Sequence, residues 1–250
     1  MSMPLKYRIY PSLLDAFRDM CNASEIWEIY WGSSDNPKIS LEDYIAKTNA
    51  EFLDKVNRVP HEPIEAADRG TAFNEVVDAI LHAKKSEKVE MKRIEQDGRV
   101  VGVGASLNGF TFEFGIDLIR DFVRYYQGAQ SQVLVSAVLD TAHGGVELYG
   151  YIDELMPFSV HDIKTTGRYE PYKYKDHAQH LVYPYCLRAM GNDVKKFEYN
   201  ITDFSGCYTE TYIFEPERDI PRLREWVEDL IGWLEDHRAQ ITDKKIFNEL

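Results

Sequence analysis

With 250 residues, 44% of them hydrophobic and 28% charged, the chain has the balance of an ordinary folded domain rather than of a disordered or low-complexity protein. A formal net charge of −13 argues against a general nucleic-acid coat protein, whose affinity comes from Lys and Arg neutralising phosphates. Three scattered cysteines, Cys21, Cys186 and Cys207, supply neither a disulfide framework nor a zinc knuckle, and no apolar run approaches transmembrane length. The opening residues lack a signal-peptide core, so a soluble cytoplasmic protein that engages no membrane is expected.

In chain order, Ser12 with Asp15 three residues later predicts a capped helix, and Trp27, Tyr30 and Trp31 form an aromatic cluster of core or subunit-contact type. Gly32–Pro37 reads as a loop, after which Ser40 caps a helix to about Val56. A third helix runs from Ala66 to about Lys84, with Phe73, Val76, Val77, Ile80 and Leu81 as its apolar stripe. Val89–Ile94, Arg99–Leu107 and Phe110–Phe114 read as strands joined at Asp97-Gly98 and Asn108-Gly109, both strong hairpin signals. This unit is expected as a hairpin insertion over the site or as a subunit contact. Ile116–Gln127 is an amphipathic helix, and Gln132–Leu139 is a mostly apolar strand.

The chemistry concentrates between Glu147 and Tyr185. Two strand-like runs, Glu147–Leu155 and Ser159–Thr166, are joined by a turn at Met156–Phe158, and each carries an acid, Asp153 and Asp162. Strand side chains alternate, so Asp162 and Lys164 share one face while Ile163 points to the core. Pairing of the two strands would bring Asp153 beside Asp162. Two carboxylates, a lysine and the backbone carbonyl of Ile163 then suit a hard divalent cation, Mg²⁺ or Mn²⁺. The lysine would orient or deprotonate an attacking water, or stabilise transition-state charge. Beyond it, RYEPYKYK interleaves aromatics with cations, as a single-strand groove does. A helix from about Asp176 sets Gln179 and Tyr183 one turn apart, and Pro184 should kink or end it. Lys196–Thr202 and Thr209–Phe214 read as strands and Asp219–His237 as the last helix.

Gly150 and Asp153, then Asp162 and Lys164, then Gln179 and Tyr183, resemble the three motifs of the PD-(D/E)XK nuclease superfamily, particularly its RecB-like exonuclease branch. Arg69, Gly70 and Thr71 match a further motif of that branch, but Asn74 stands where the family places a metal-facing histidine. Asn is still an oxygen ligand for Mg²⁺, and the adjacent Glu75 points about 100° away around the helix. The resemblance implies an α/β fold with a mixed central β-sheet flanked by helices, a restriction-endonuclease-like nuclease core over the whole chain. The helical part would occupy about 1–85, the catalytic sheet about 86–215 and the C-terminal helix about 219–240. It implies a metal-dependent deoxyribonuclease of recombination, repair or phage type. Asp153, Asp162 and Lys164 would be catalytic, and Asp153, Asp162, Ile163 and Asn74 would surround the metal. Gln179, Tyr183, Arg69, Thr166 and Lys173 would contact DNA. Some relatives carry a four-cysteine iron–sulfur cluster, which three cysteines cannot supply, so none is expected. DNA is the expected partner, with a repair protein or a second copy of the chain as further candidates. Between His161 and Lys196 seven Lys/Arg face four Asp/Glu, so a locally basic groove on an acidic body is compatible with that reading.

Overall fold

The computed structural model describes residues 4–248. Its organising strand is β6, Gly144–Met156, which pairs antiparallel with β5, Gln130–Thr141, along nearly its whole length. On its other edge β6 takes two partners in succession. The strand β1, Leu5–Ile9, runs parallel beside Gly145–Leu148, and β7, Ser159–Thr165, runs antiparallel beside Glu154–Met156. Among the described residues, 149–153 have no strand partner on that edge, and this gap places the candidate site. Outward from β7 lie β8, Lys196–Thr202, parallel to it, and β9, Cys207–Ile213, antiparallel to β8. The sheet is therefore mixed, and the α/β class expected from the sequence holds.

Helices cover both faces. On one side α1 (Pro11–Cys21), α6 (Gln179–Ala189) and α7 (Pro216–Asp236) press Leu14, Leu181, Val182, Leu223 and Leu230 against Leu148, Ile152, Val160 and Phe197. On the other side α4 (Glu65–Leu81) and α5 (Ile116–Tyr125) pack Phe73, Val76, Ile119 and Phe122 around Ile163. That second core is closed by a separate three-stranded sheet, β2 (Glu90–Gln96), β3 (Arg99–Leu107) and β4 (Phe110–Gly115). Its two turns have positive φ at Asp97, Gly98, Asn108 and Gly109, the geometry that the Asp-Gly and Asn-Gly pairs supply.

Several boundaries differ from expectation. The strand β1 and the helix α2 (Ala23–Trp31) were not anticipated; α3 (Leu41–Val56) was, with Ser40 accepting from Asp43 N as its cap. Helix α1 starts on Pro11 without a side-chain cap, so Ser12 is not its N-cap. Asp15 instead accepts the Ala178 N–H at 2.6 Å, tying α1 to the start of α6. Helix α6 begins at Gln179 rather than near Asp176, and it continues through Pro184. Among the described residues no helix is long and apolar enough to cross a membrane.

Candidate active site

The β6–β7 ladder ends at the Glu154–His161 pair, and the strands splay before Asp153 and Asp162 can face each other as a ladder pair. The Asp153 side chain bridges the opening, its Oδ2 accepting the Ile163 N–H at 3.0 Å. On the other edge the Gln132–Asp153 pair is missing from an otherwise continuous β5–β6 register, and Gln132 has φ 54°. A left-handed residue inside a strand is strained. Here it breaks the alternation of β6 at Asp153. Ile152 packs in the larger core, whereas Glu154 accepts from Ser131 Oγ at 2.7 Å.

Asp162 is 2% exposed, with the Lys164 ammonium 2.7 Å from its Oδ2. Gln179 locks the two together: its Nε2 donates to Asp162 Oδ1, and its Oε1 accepts from Lys164 Nζ at 2.8 Å. The shared face predicted for Asp162 and Lys164 is therefore present, and Gln179 reaches them from the first turn of α6. Burial, and then the Asp162 charge, push the Asp153 carboxyl up to about 7, against the opposing pull of Lys164 and the Ile163 N–H. For Lys164, burial lowers the ammonium's pKa, but the Asp162 and Asp153 carboxylates outweigh it and hold the pKa above its ordinary value. The lysine is thus built to remain a cation, which favours charge stabilisation over proton abstraction.

Gly150 has a physical reason to be glycine. A Cβ there would lie 2.7 Å from Tyr183 Cε1 and 3.4 Å from Pro11 Cδ. Tyr183 is 5% exposed, so it packs against the bare backbone of β6. The tyrosine expected as a substrate contact thus spends its ring on packing. Gly150→Ala should destabilise the fold by about 1–3 kcal/mol, read as a lower urea midpoint with unchanged slope. An alanine variant as stable as the parent would show that Tyr183 moves freely.

Helix α4 aligns Gly70, Asn74 and Asp78 at spacings of four, hence on one face. Its ends locate that face. A Cβ on Gly70 would meet Thr165 Oγ1 at 2.7 Å, and the Asp78 charge raises both Asp153 and Glu154. Asn74 lies between them, its Oδ1 buried without a hydrogen-bond partner. Asp162 Oδ2 likewise has no aligned donor, since Lys164 approaches it off the hydrogen-bond direction. Glu75 is spent elsewhere, on Lys88 Nζ and Ser86 Oγ. Sequence reasoning did not single out Asp78 and Glu154. Burial and then the neighbouring Asp78 carboxyl push Glu154 up to about 8, and its Oε1 is a further buried oxygen without a hydrogen-bond partner. The four-residue spacing of polar positions on α4 was the available signal.

Among the described residues no three His, Cys, Asp or Glu side chains gather as a metal-binding group. The oxygens at the splay are the Asp153 and Asp162 carboxylates, and the partnerless Asn74 Oδ1 lies on the α4 face between Gly70 and Asp78. Orphaned buried oxygens beside a carboxyl raised by its neighbour fit a hard divalent cation, which would relieve both. Of the remaining expected contacts, Thr166 Oγ1 accepts from Lys173 Nζ at 2.8 Å, and the Arg69 guanidinium lies 3.7 Å over the Phe204 ring.

No family model matches the chain, and no curated protein matches it. A solved structure described as "Crystal structure of SSO0001" is similar at 12% identity with a TM-score of 0.46, covering 92% of this chain and 78% of that one.

Proposed function

We propose that this chain is a divalent-metal-dependent nuclease that hydrolyses phosphodiester bonds in DNA, acting from strand ends in recombination, repair or phage-type processing. The observation that carries the reading is the splay between β6 and β7. There the Asp153 carboxylate takes the Ile163 N–H, beside Asp162 with Lys164 at 2.7 Å. The restriction-endonuclease-like core belongs to the same proposal. Asp153, Asp162, the Ile163 carbonyl and Asn74 would hold Mg²⁺ or Mn²⁺. Such a cation supplies Lewis-acid stabilisation of phosphoryl charge and a more acidic water.

The chain's own groups divide the rest. Lys164 places a fixed positive charge where negative charge develops, and Gln179 holds that ammonium in position. Asp153, raised to about 7 by burial and then by the Asp162 charge, would be held ionised by the cation it binds, so its part is that of a ligand. A second reading, a non-catalytic nuclease-fold module that binds nucleic acid or protein, is favoured by the closed Asp162–Gln179–Lys164 network and the net charge of −13.

End-labelled linear DNA and closed circles, incubated with Mg²⁺, Mn²⁺ or EDTA, separate the readings. Metal-dependent loss of linear DNA alone is the expected result, whereas cutting of circles assigns an endonuclease instead. Wild-type protein that turns over neither substrate faster than Asp162→Asn assigns the non-catalytic module.

A further inference from the structure

The two long margins of the main sheet are finished differently. On β5, which closes one of them, the Val138 carbonyl accepts from Tyr185 Oη at 2.8 Å and the Asp140 carbonyl from Arg224 Nε at 3.0 Å. The opposite margin is β9. Among the described residues only its last carbonyl, that of Ile213, takes a side chain, Arg218 Nη2 at 2.8 Å. Two flanking bonds show which way the rest of its backbone points. Phe214 N donates to Lys195 O and Asp203 N donates to Gly206 O, and both pairs continue the β8–β9 register. In an antiparallel ladder, directly opposed residues alternate between exchanging hydrogen bonds and exchanging none. The even-numbered residues of β9 therefore bond to β8, and Cys207, Thr209, Thr211 and Ile213 turn their N–H and C=O groups outward. All four are exposed, and no Lys, Pro or bulge interrupts the run. A strand edge in that state is a template for another strand.

The strand is also complementary to itself. Residues 208–212 read YTETY in either direction. Paired antiparallel with its own copy about Glu210, β9 sets Tyr208 opposite Tyr212 and Thr209 opposite Thr211. The two threonines then form the hydrogen-bonded pair that their outward groups require. Aromatic pairs and Thr–Thr pairs are favourable cross-strand neighbours. Glu210 meets its copy on the axis, but its carboxylate is already spent on the helical face. It accepts Lys173 N at 3.0 Å, Tyr174 N at 3.3 Å and Tyr212 Oη at 2.7 Å. The ends match in charge. Beside Ile213 a cleft of about 380 Å³ gathers Lys175, Arg218 and Arg222 against the single acid Asp219. At the Cys207 end burial, and with it the Asp121 and Asp203 charges, pushes the thiol up, which places both acids beside it. Two-fold antiparallel pairing brings the basic end of each strand to the acidic end of the other.

We infer that β9 is an interface between two copies of this chain, joined edge to edge about a two-fold axis at Glu210, so that two six-stranded sheets become one. The inference stands apart from the nuclease reading and uses none of its residues.

Sedimentation velocity of the full chain tests it, in reducing buffer so that the exposed Cys21 and Cys207 form no disulfide. Between about 1 and 100 μM the 29.0 kDa chain should convert to a species of twice that mass. Thr211→Pro removes an outward N–H and leaves the bonds to β8 in place, so it should stay a single chain with the parent's far-UV circular dichroism. Two double variants fix the register. Thr209→Lys with Thr211→Lys sets lysine against lysine across the axis and should abolish the dimer. Thr209→Lys with Thr211→Glu sets lysine against glutamate and should restore it. Both lose the Thr209 acceptor for Asn200 Nδ2, so that loss cancels between them. A parent that remains a single chain throughout the range, a dimer indifferent to Thr211→Pro, or equal behaviour of the two double variants overturns the inference.

Discussion

Lys164→Met should destabilise the fold by about 3 kcal/mol at pH 7 and Asp162→Asn by about 1 kcal/mol or less, and if the chain is the nuclease proposed above both should abolish cleavage. The asymmetry follows from where each charge can go. The Asp162 side chain is 3% exposed and that of Lys164 25% exposed. Removing the ammonium strands a carboxylate against Gln179 with no route to water, and breaking a buried pair from that side is the expensive way to break it. Removing the carboxylate leaves an ammonium on a four-carbon stem that can bend toward solvent, with Gln179 Oε1 still accepting from it.

The pH dependence of the lysine variant checks the cause. An unpaired buried Asp162 would bind its proton more tightly folded than unfolded, so the lost stability returns as pH falls and is largest above neutrality. Joining the two changes, as Asp162→Asn with Lys164→Met, should recover most of the loss, because no buried charge then remains. Urea unfolding of the four proteins at pH 7 and pH 5 measures all of this. Equal costs for the two single variants would show that Asp162 is solvated in solution. Loss of cleavage in Asp162→Asn at near-parental stability would separate a catalytic contribution from a structural one.

Period-two alternation sufficed to put Asp162 and Lys164 on one face, and the Asn-Gly and Asp-Gly pairs fixed two hairpins, because both signals are local. What escaped was nonlocal. The strand β1 is five residues with a mixed pattern, and its partner lies some 140 residues away on β6. No local pattern announces that pairing. Alternation also failed at Asp153, where the chain departs from regular geometry on both edges. Gln132 adopts φ 54° on one side, and the β7 ladder stops on the other. The motif glycine, Gly150, was legible as a letter but not as a cause, since the cause is a tyrosine ring 33 positions later. Tyr183 illustrates a similar limit: helical spacing places it one turn from Gln179, but only the packing shows that its ring lies against Gly150 while the Gln179 amide is spent on Asp162 and Lys164.

Stability of the metal-free chain should fall by on the order of 2 kcal/mol between about pH 6.5 and pH 8, with the fall opposed below pH 6.5 by two buried histidines. Four buried groups set this shape. Asp153 and Glu154 are raised to about 7 and 8 from 3.8 and 4.5, so between those limits the folded chain holds protons that the unfolded chain has released. Each such group therefore costs stability as pH rises, at up to about 1.4 kcal/mol per pH unit, until its folded pKa is passed. Burial drives His180 down to about 4 from 6.5 and lowers His161 as well. The unfolded chain binds the extra protons there, so the histidines favour folding as pH rises through 6.5, and that contribution fades by about pH 7.5. The two histidines oppose the two carboxylates below about pH 6.5, and above it their opposition fades while the carboxylates still act. Glu154→Gln keeps an acceptor for Ser131 and offers an amide to Asp78, so it should remove the larger part of the fall and leave the variant about 1 kcal/mol more stable than the parent at pH 8. Thermal or urea unfolding from pH 5 to 8 reads the outcome directly. A decline above pH 6.5 that survives in both Glu154→Gln and Asp153→Asn would place its source outside this pair. Mg²⁺ bound at the splay should reduce the same decline in the parent and not in Asp153→Asn, because a cation there takes the place of the proton that Asp153 otherwise holds.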